Sequence, residues 1–193
     1  MDKYMYLLNK YNICYFYHFT NVLNLDSILK NGILSVNELN NRGIKYFCTD
    51  KDRLDQQLDY ISLSLNTSNN SMLKYKKETI NTEWIVFELD AESIIKKYYD
   101  KILYCKYNAS APGTIKMLNE NKEFMKSSVA FNNMFDDNNQ PCFQAELLVP
   151  GIIGIEDINK IYVEHLQNKV LVELMLDMNN IKTIDVVIKR EMF

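Results

Sequence analysis

The stretch Gln140-Pro141-Cys142-Phe143-Gln144-Ala145-Glu146-Leu147-Leu148-Val149-Pro150 carries an acid and an amide two residues apart. Read as a loop running into a short strand, it puts Phe143, Ala145, Leu147 and Val149 on one face. Gln144, Glu146 and Leu148 then share the other face, and Pro141 and Pro150 bracket the strand. A carboxylate on the open face of an apolar strand can take a proton or sit opposite a developing positive charge, with an amide beside it to orient a reactant. The same pattern also fits an edge strand with a solvated face, and the residues alone leave both readings open.

A second candidate group lies near the start. Cys14 to Phe19 has strand composition and ends in Tyr17-His18-Phe19-Thr20. Thr20 and Asn21 follow as turn or cap residues, and Val22, Leu25, Ile28 and Leu29 keep helical spacing up to the stop at Asn31-Gly32. A third is Tyr60 to Leu65, where Tyr60, Ser62 and Ser64 alternate with Ile61, Leu63 and Leu65, a half-buried strand with its serines outward. Upstream of it, Arg53 stands among Asp50, Asp52 and Asp55. That cluster reads equally as a solvated charge group or as an anion grip. Arg42 is the competing arginine, and Arg190 is the third in the chain.

The elements around these groups mix helices and strands. Trp84 to Leu89 and Ile102 to Tyr107 read as strands, as do Ile161 to Val163 and Thr183 to Lys189. Residues 1–12, Ala91 to Tyr99, Thr114 to Met125 and Leu166 to Met178 read as helices. Asn132 to Asn139 reads as a polar loop before the strand of Glu146. Without regular βαβ alternation, this order predicts an α+β fold in one domain spanning residues 1–193.

Composition bounds the function. Of the 193 residues, 47% are apolar and 12% aromatic, ample for a core, and the net charge of −3 makes no strong global field for nucleic acid. The histidines are His18 and His165, and Cys14, Cys48, Cys105 and Cys142 form no C-x-x-C pair, so no metal site is expected. The chain reads as a cytoplasmic protein with reduced thiols and no membrane span. G-x-G-x-x-G and Walker loops are absent. Lysines interleave with tyrosines at Lys74 to Lys77 and at Lys96 to Tyr99, which fits a single-strand surface or an ordinary solvated face.

Taken in order, Tyr17-His18-Phe19-Thr20, Leu25 to Lys30, Gly32-Ile33-Leu34-Ser35, the serine-faced strand and Gln144-Ala145-Glu146-Leu147-Leu148-Val149 resemble the ADP-ribosyltransferase family. Within it they are most similar to the DarT type, toxins that attach ADP-ribose from NAD to bases of single-stranded DNA. The resemblance implies two short antiparallel sheets around an NAD cleft. It implies Glu146 as the catalytic acid and Gln144 as the residue that orients the acceptor. His18 and Thr20 would contact NAD, Arg53 or Arg42 would grip its pyrophosphate or hold the glutamate, and Ser62 or Ser64 would be a site serine. Phe135 and Phe143 would stack on the acceptor base. NAD is then a co-substrate, single-stranded DNA the acceptor, and an antitoxin of the macrodomain hydrolase type the partner. Transfer to RNA or protein, or a fold that binds without turnover, are the alternatives.

Overall fold

The computed structural model describes residues 1–48, 54–65 and 70–193. Helix α1 (Asp2–Lys10) buries Leu7 and Leu8, with Asp2 in its first turn and Lys10 in its last, the signs that suit the helix dipole. Strand β1 (Tyr15–Asn21) runs into a 3₁₀ turn, where the Asn21 side chain accepts from Leu23 N. Helix α2 (Leu25–Asn31) stops at Gly32, and β2 (Ile33–Leu34) leads to α3 (Val36–Asn41), capped by Ser35. Strand β3 (Tyr60–Ser64) and helix α4 (Asn70–Thr79) precede β4 (Trp84–Asp90). Asp90 caps α5 (Ala91–Tyr98), accepting from Ser93 N at 2.7 Å.

Strand β5 (Leu103–Cys105) is followed by α6 (Pro112–Glu120), α7 (Lys122–Met125) and α8 (Ser128–Asn132). Then come β6 (Glu146–Pro150), β7 (Ile152–Ile153), β8 (Ile158–Val163), α9 (Leu166–Met178) and β9 (Asp185–Ile188). The helix expected over Thr114 to Met125 is broken at Asn121, whose φ of −138° leaves the helical region. The polar loop expected from Asn132 begins with the end of α8 and closes into an ordered turn. There Phe135 bridges Pro141, and Asp136 Oδ1 accepts from Asn138 N and Gln140 N.

The mixed α and β composition agrees with the expected fold class. The sheets differ in detail from two short antiparallel ones. A seven-stranded sheet has the order β5-β6-β3-β1-β4-β8-β9, and β2 pairs with β7 in a second, two-stranded one. All pairs are antiparallel except β8 with β9. The large sheet is nearly split. β1 pairs with β4 along Tyr15 to Asn21, but meets β3, among the described residues, only at Tyr17 and Ser64. Three strands on one side and four on the other therefore diverge beyond that point.

One face of the sheet packs a continuous core, with Phe16, Leu63, Phe87, Leu147 and Ile161 under Leu25, Ile94, Phe131 and Val172 from the helices. The other face is covered by two separate clusters. Leu103, Cys105 and Leu148 meet Leu118 and Met125 on one side, and Trp84, Val86 and Tyr162 meet Leu73 and Met192 on the other. Between them the strands carry serines and half-buried aromatics, where a cleft opens.

Gly32 sets the angle at which α2 enters the small sheet. Its φ of 79° and ψ of 179° lie in a region that glycine alone populates readily. A Cβ there would strike the Ile153 carbonyl oxygen, whereas one at Gly43, φ 63°, would meet nothing. Gly32→Ala is expected to lower the unfolding free energy in urea by about 3 kcal/mol, and Gly43→Ala by about 1 kcal/mol. Equal losses at both positions would show that the close approach to β7 yields easily.

Candidate active site

The first residue of β6, Glu146, lies in register with Ser64 of β3 and Cys105 of β5. Its carboxylate is held from both sides. Asn108 Nδ2 donates to Oε1 at 2.8 Å, and Ala109 N donates to Oε2 at 3.0 Å. Asn108 is fixed in turn, because its Oδ1 accepts from Ser110 N at 2.9 Å. The turn between β5 and α6 thus aims two donors at one carboxylate and sets its direction. Hydrogen bonds to a carboxylate are among the stronger ones, about 1.5–3 kcal/mol each. Beneath it the Cys105 thiol is pushed up from its ordinary value, first by burial and then by the charges of Glu146 and Asp55. It is a core thiol and no nucleophile.

Glu146 stands on the wall of a cleft of about 280 Å³, which also includes His18, Thr20, Ser62, Asn108 and Trp84. His18 Nδ1 lies 3.0 Å from Ser62 O. A carbonyl only accepts, so Nδ1 carries the proton, and the imidazole ties β1 to β3 where their backbones begin to part. Thr20 Oγ1 accepts from Asn24 Nδ2 at 3.0 Å. The same Asn24 amide donates to Phe47 O at 3.0 Å and accepts from Phe47 N at 2.7 Å, as a strand neighbour would. It holds Tyr46, Phe47 and Cys48 along the cleft wall.

Five residues singled out in the sequence, Glu146, His18, Thr20, Ser62 and Ser64, therefore come together on one cleft. Others do not. Phe135 is 7% exposed and stacked on Tyr11 with ring centroids 3.6 Å apart, so the expected base-stacking face is used up in the core. Gln144 does not share a strand face with Glu146. It sits in a turn with φ 59°, and its Nε2 donates to Ser71 Oγ at 3.2 Å, toward α4. The strand begins three residues later than the alternation suggested, because the Cys142–Ala145 turn bond takes the backbone first. Phe143 beside it is 68% exposed. Arg42 lies off the cleft, paired with Glu38 one helical turn back at 3.1 Å. Arg53 lies outside the described residues.

Asn108 and Asn24 escaped the sequence reading, and Tyr17 entered it only as part of the motif with His18. Asn108 had a signal, since Asn-Ala-Ser-Ala-Pro is an Asx turn ahead of a helix begun by proline. Among the described residues no helix is long and apolar enough to cross a membrane, and no group of three or more His, Cys, Asp or Glu could hold a metal ion.

This architecture has solved counterparts. The DarT of Thermus sp. 2.9, in complex with NAD+, superposes with a TM-score of 0.64 at 16% identity over 94% of this chain and 98% of that one. The same protein in complex with ADP-ribosylated ssDNA gives 0.60 at 15% identity, over 94% of this chain and 97% of that one. The Thermosipho africanus DarTG in complex with ADP-ribose gives 0.62 at 19% identity over 93% of this chain, which spans 51% of the DarTG chain. No curated protein matches the chain by sequence alone. The family model of the ssDNA thymidine ADP-ribosyltransferase DarT matches residues 17–193, and the chain belongs to that family.

Asn108→Ala removes one donor on Glu146 and leaves the carboxylate freer to swing. A displacement near 1 Å can cost about a hundredfold in rate. We expect nicotinamide release from NAD to slow about 10- to 100-fold, with NAD affinity changed by less than about threefold. An unaltered rate would mean that Asn108 is not needed to fix the carboxylate.

Proposed function

We propose that residues 1–193 act as one transferase domain that moves ADP-ribose from NAD to thymidine in single-stranded DNA. The observation that carries this reading is Glu146, held by two donors on the wall of the cleft between the diverging strands. NAD is the co-substrate. The cleft suits such a molecule: its wall alternates apolar surface with polar groups, and the buried Trp84 Nε1–H has no hydrogen-bond partner among the described residues.

The chemistry follows from charge. As the bond between nicotinamide and C1′ breaks, its electron pair leaves with nicotinamide and positive charge grows on the ribose. A fixed carboxylate beside that carbon lowers the barrier, as in glycoside cleavage. The acceptor atom of the base then bonds to C1′ and gives up its proton, with Glu146 as the acid–base group. His18 and Thr20 hold the ribose and the amide of nicotinamide, and Ser62 lines the same wall. Arg53 serves the pyrophosphate, with Arg42 the remote alternative. Gln144 and Phe143, on the turn ahead of β6, meet the acceptor.

The family and the DarTG relative support a toxin role with an antitoxin partner, for which a macrodomain hydrolase is our proposal, in the cytoplasm. The test is incubation with labelled NAD and four acceptors: single strands with and without thymine, duplex DNA, and RNA. Nucleosides are then identified by mass spectrometry. We expect ADP-ribosylated thymidine from the thymine-containing single strand and little from the others. Label on RNA alone would move the acceptor and keep the mechanism. Intact NAD in every mixture would overturn the reading.

A further inference from the structure

The strand register lays one polar row across the sheet. Cys105 neighbours Glu146, Glu146 neighbours Ser64, Ser64 neighbours Tyr17, Tyr17 neighbours Glu88, and Glu88 neighbours Lys160. Register partners point to one face of a sheet. Tyr17 is therefore two strands, about 10 Å, from Glu146 on the same face, and it lines the same cleft.

Tyr17 is braced by a buried charge. Glu88 is 3% exposed. Its Oε2 accepts from Tyr162 OH at 2.5 Å and from Tyr17 OH at 3.5 Å, while Oε1 accepts from Asn159 Nδ2 at 2.6 Å and lies 3.5 Å from Lys160 Nζ. Burying a carboxylate is costly, and an apolar residue would serve packing alone better. What this one does is hold two phenol rings at set angles. Burial, and then the Glu88 charge, push the Tyr17 hydroxyl up to about 12.

The ring surface does not end at the cleft. Tyr15 lies on the same face one pleat away, about 7 Å along β1, half-buried, with Lys160 Nζ 5.9 Å from its ring centre. Tyr15 is not on the cleft wall. A dinucleotide filling the cleft can use Tyr17, whereas a polynucleotide leaving the cleft meets Tyr15 and then the Lys160 cation. Successive rings on a sheet face with a lysine alongside are what base stacking and phosphate contact require.

We propose that Tyr17 and Tyr15 form the stacking track of the acceptor strand, Tyr17 under the base presented to Glu146 and Tyr15 under its neighbour. Glu88 is the positioning residue for Tyr17, and Lys160 meets the phosphate beyond Tyr15. This rests on the DNA acceptor reading, and wild-type transfer to a thymine-containing single strand tests that reading separately.

The experiment measures KM for a ten-nucleotide single strand, KM for NAD, and kcat in Tyr17→Ala, Tyr15→Ala, Glu88→Gln and Lys160→Gln, with Tyr17→Phe as the variant that keeps the ring. Tyr17→Ala and Tyr15→Ala should raise KM for the oligonucleotide about tenfold or more. Tyr17→Phe should raise it less than about threefold. For Tyr15→Ala the penalty should vanish on thymidine monophosphate, which has no neighbouring base to reach it. Glu88→Gln should raise the oligonucleotide KM with little change in kcat and move the tyrosinate midpoint of Tyr17 down from about 12, read as the absorbance difference from Tyr17→Phe. Lys160→Gln should flatten the salt dependence of KM by about one ion. If wild type transfers to DNA while Tyr17→Ala raises KM for NAD and leaves that for the oligonucleotide, the ring holds nicotinamide and the proposal fails. An unchanged oligonucleotide KM in Tyr15→Ala also overturns it.

Discussion

Everything in the cleft depends on how one carboxylate is held at the place where a sheet comes apart. Glu146 begins β6, and its two oxygens take hydrogen bonds from Asn108 and from the backbone of Ala109. A glutamate side chain has three rotatable bonds, and left alone it would sample many positions beside a ribose. Two donors on one short turn remove most of that freedom before substrate arrives. The proposed catalysis by a fixed charge needs this, because the reorganisation is then already done when the sugar becomes cationic.

The split sheet supplies the room. β1 pairs with β4 along its length but meets β3 at Tyr17 and Ser64. Past that point His18 reaches across with its imidazole to the Ser62 carbonyl. A side chain replaces a ladder of backbone bonds, so the strands can part without abandoning the carbonyl. The two apolar clusters on that face, around Leu148 and around Trp84, stand on either side of the opening. Asn24, mimicking a strand neighbour for Phe47, closes the cleft from a third direction.

Much of this was legible in the residues. The alternation in Tyr60 to Leu65 gave the serine-faced strand, and helical spacing gave α9 with both ends correct. Glu146, His18, Thr20 and Ser62 share the cleft wall, and each sits on or at the end of a regular element, where periodicity dictates direction. Gln144 and Phe135 were misplaced because they belong to a turn. Period-two reasoning assumes an extended backbone, and Gln144 has φ 59°. Phe135 follows the hydrophobic effect into a stack with Tyr11, a contact between residues far apart in sequence that no local pattern encodes. Asn108 and Asn24 act through tertiary hydrogen bonds, and asparagine in a loop reads only as a turn former.

The central claim is that the charge on Glu146, and not merely its shape, drives cleavage of NAD. Glu146→Gln keeps the length of the side chain and an oxygen to accept from Asn108 or Ala109, and removes the negative charge. The measurement is single-turnover release of nicotinamide, with NAD affinity determined by calorimetry on the same preparation. The account predicts an affinity within about fivefold of wild type and a release rate lower by about a hundredfold or more. A glutamine variant that binds NAD and releases nicotinamide within tenfold of the wild-type rate would contradict it.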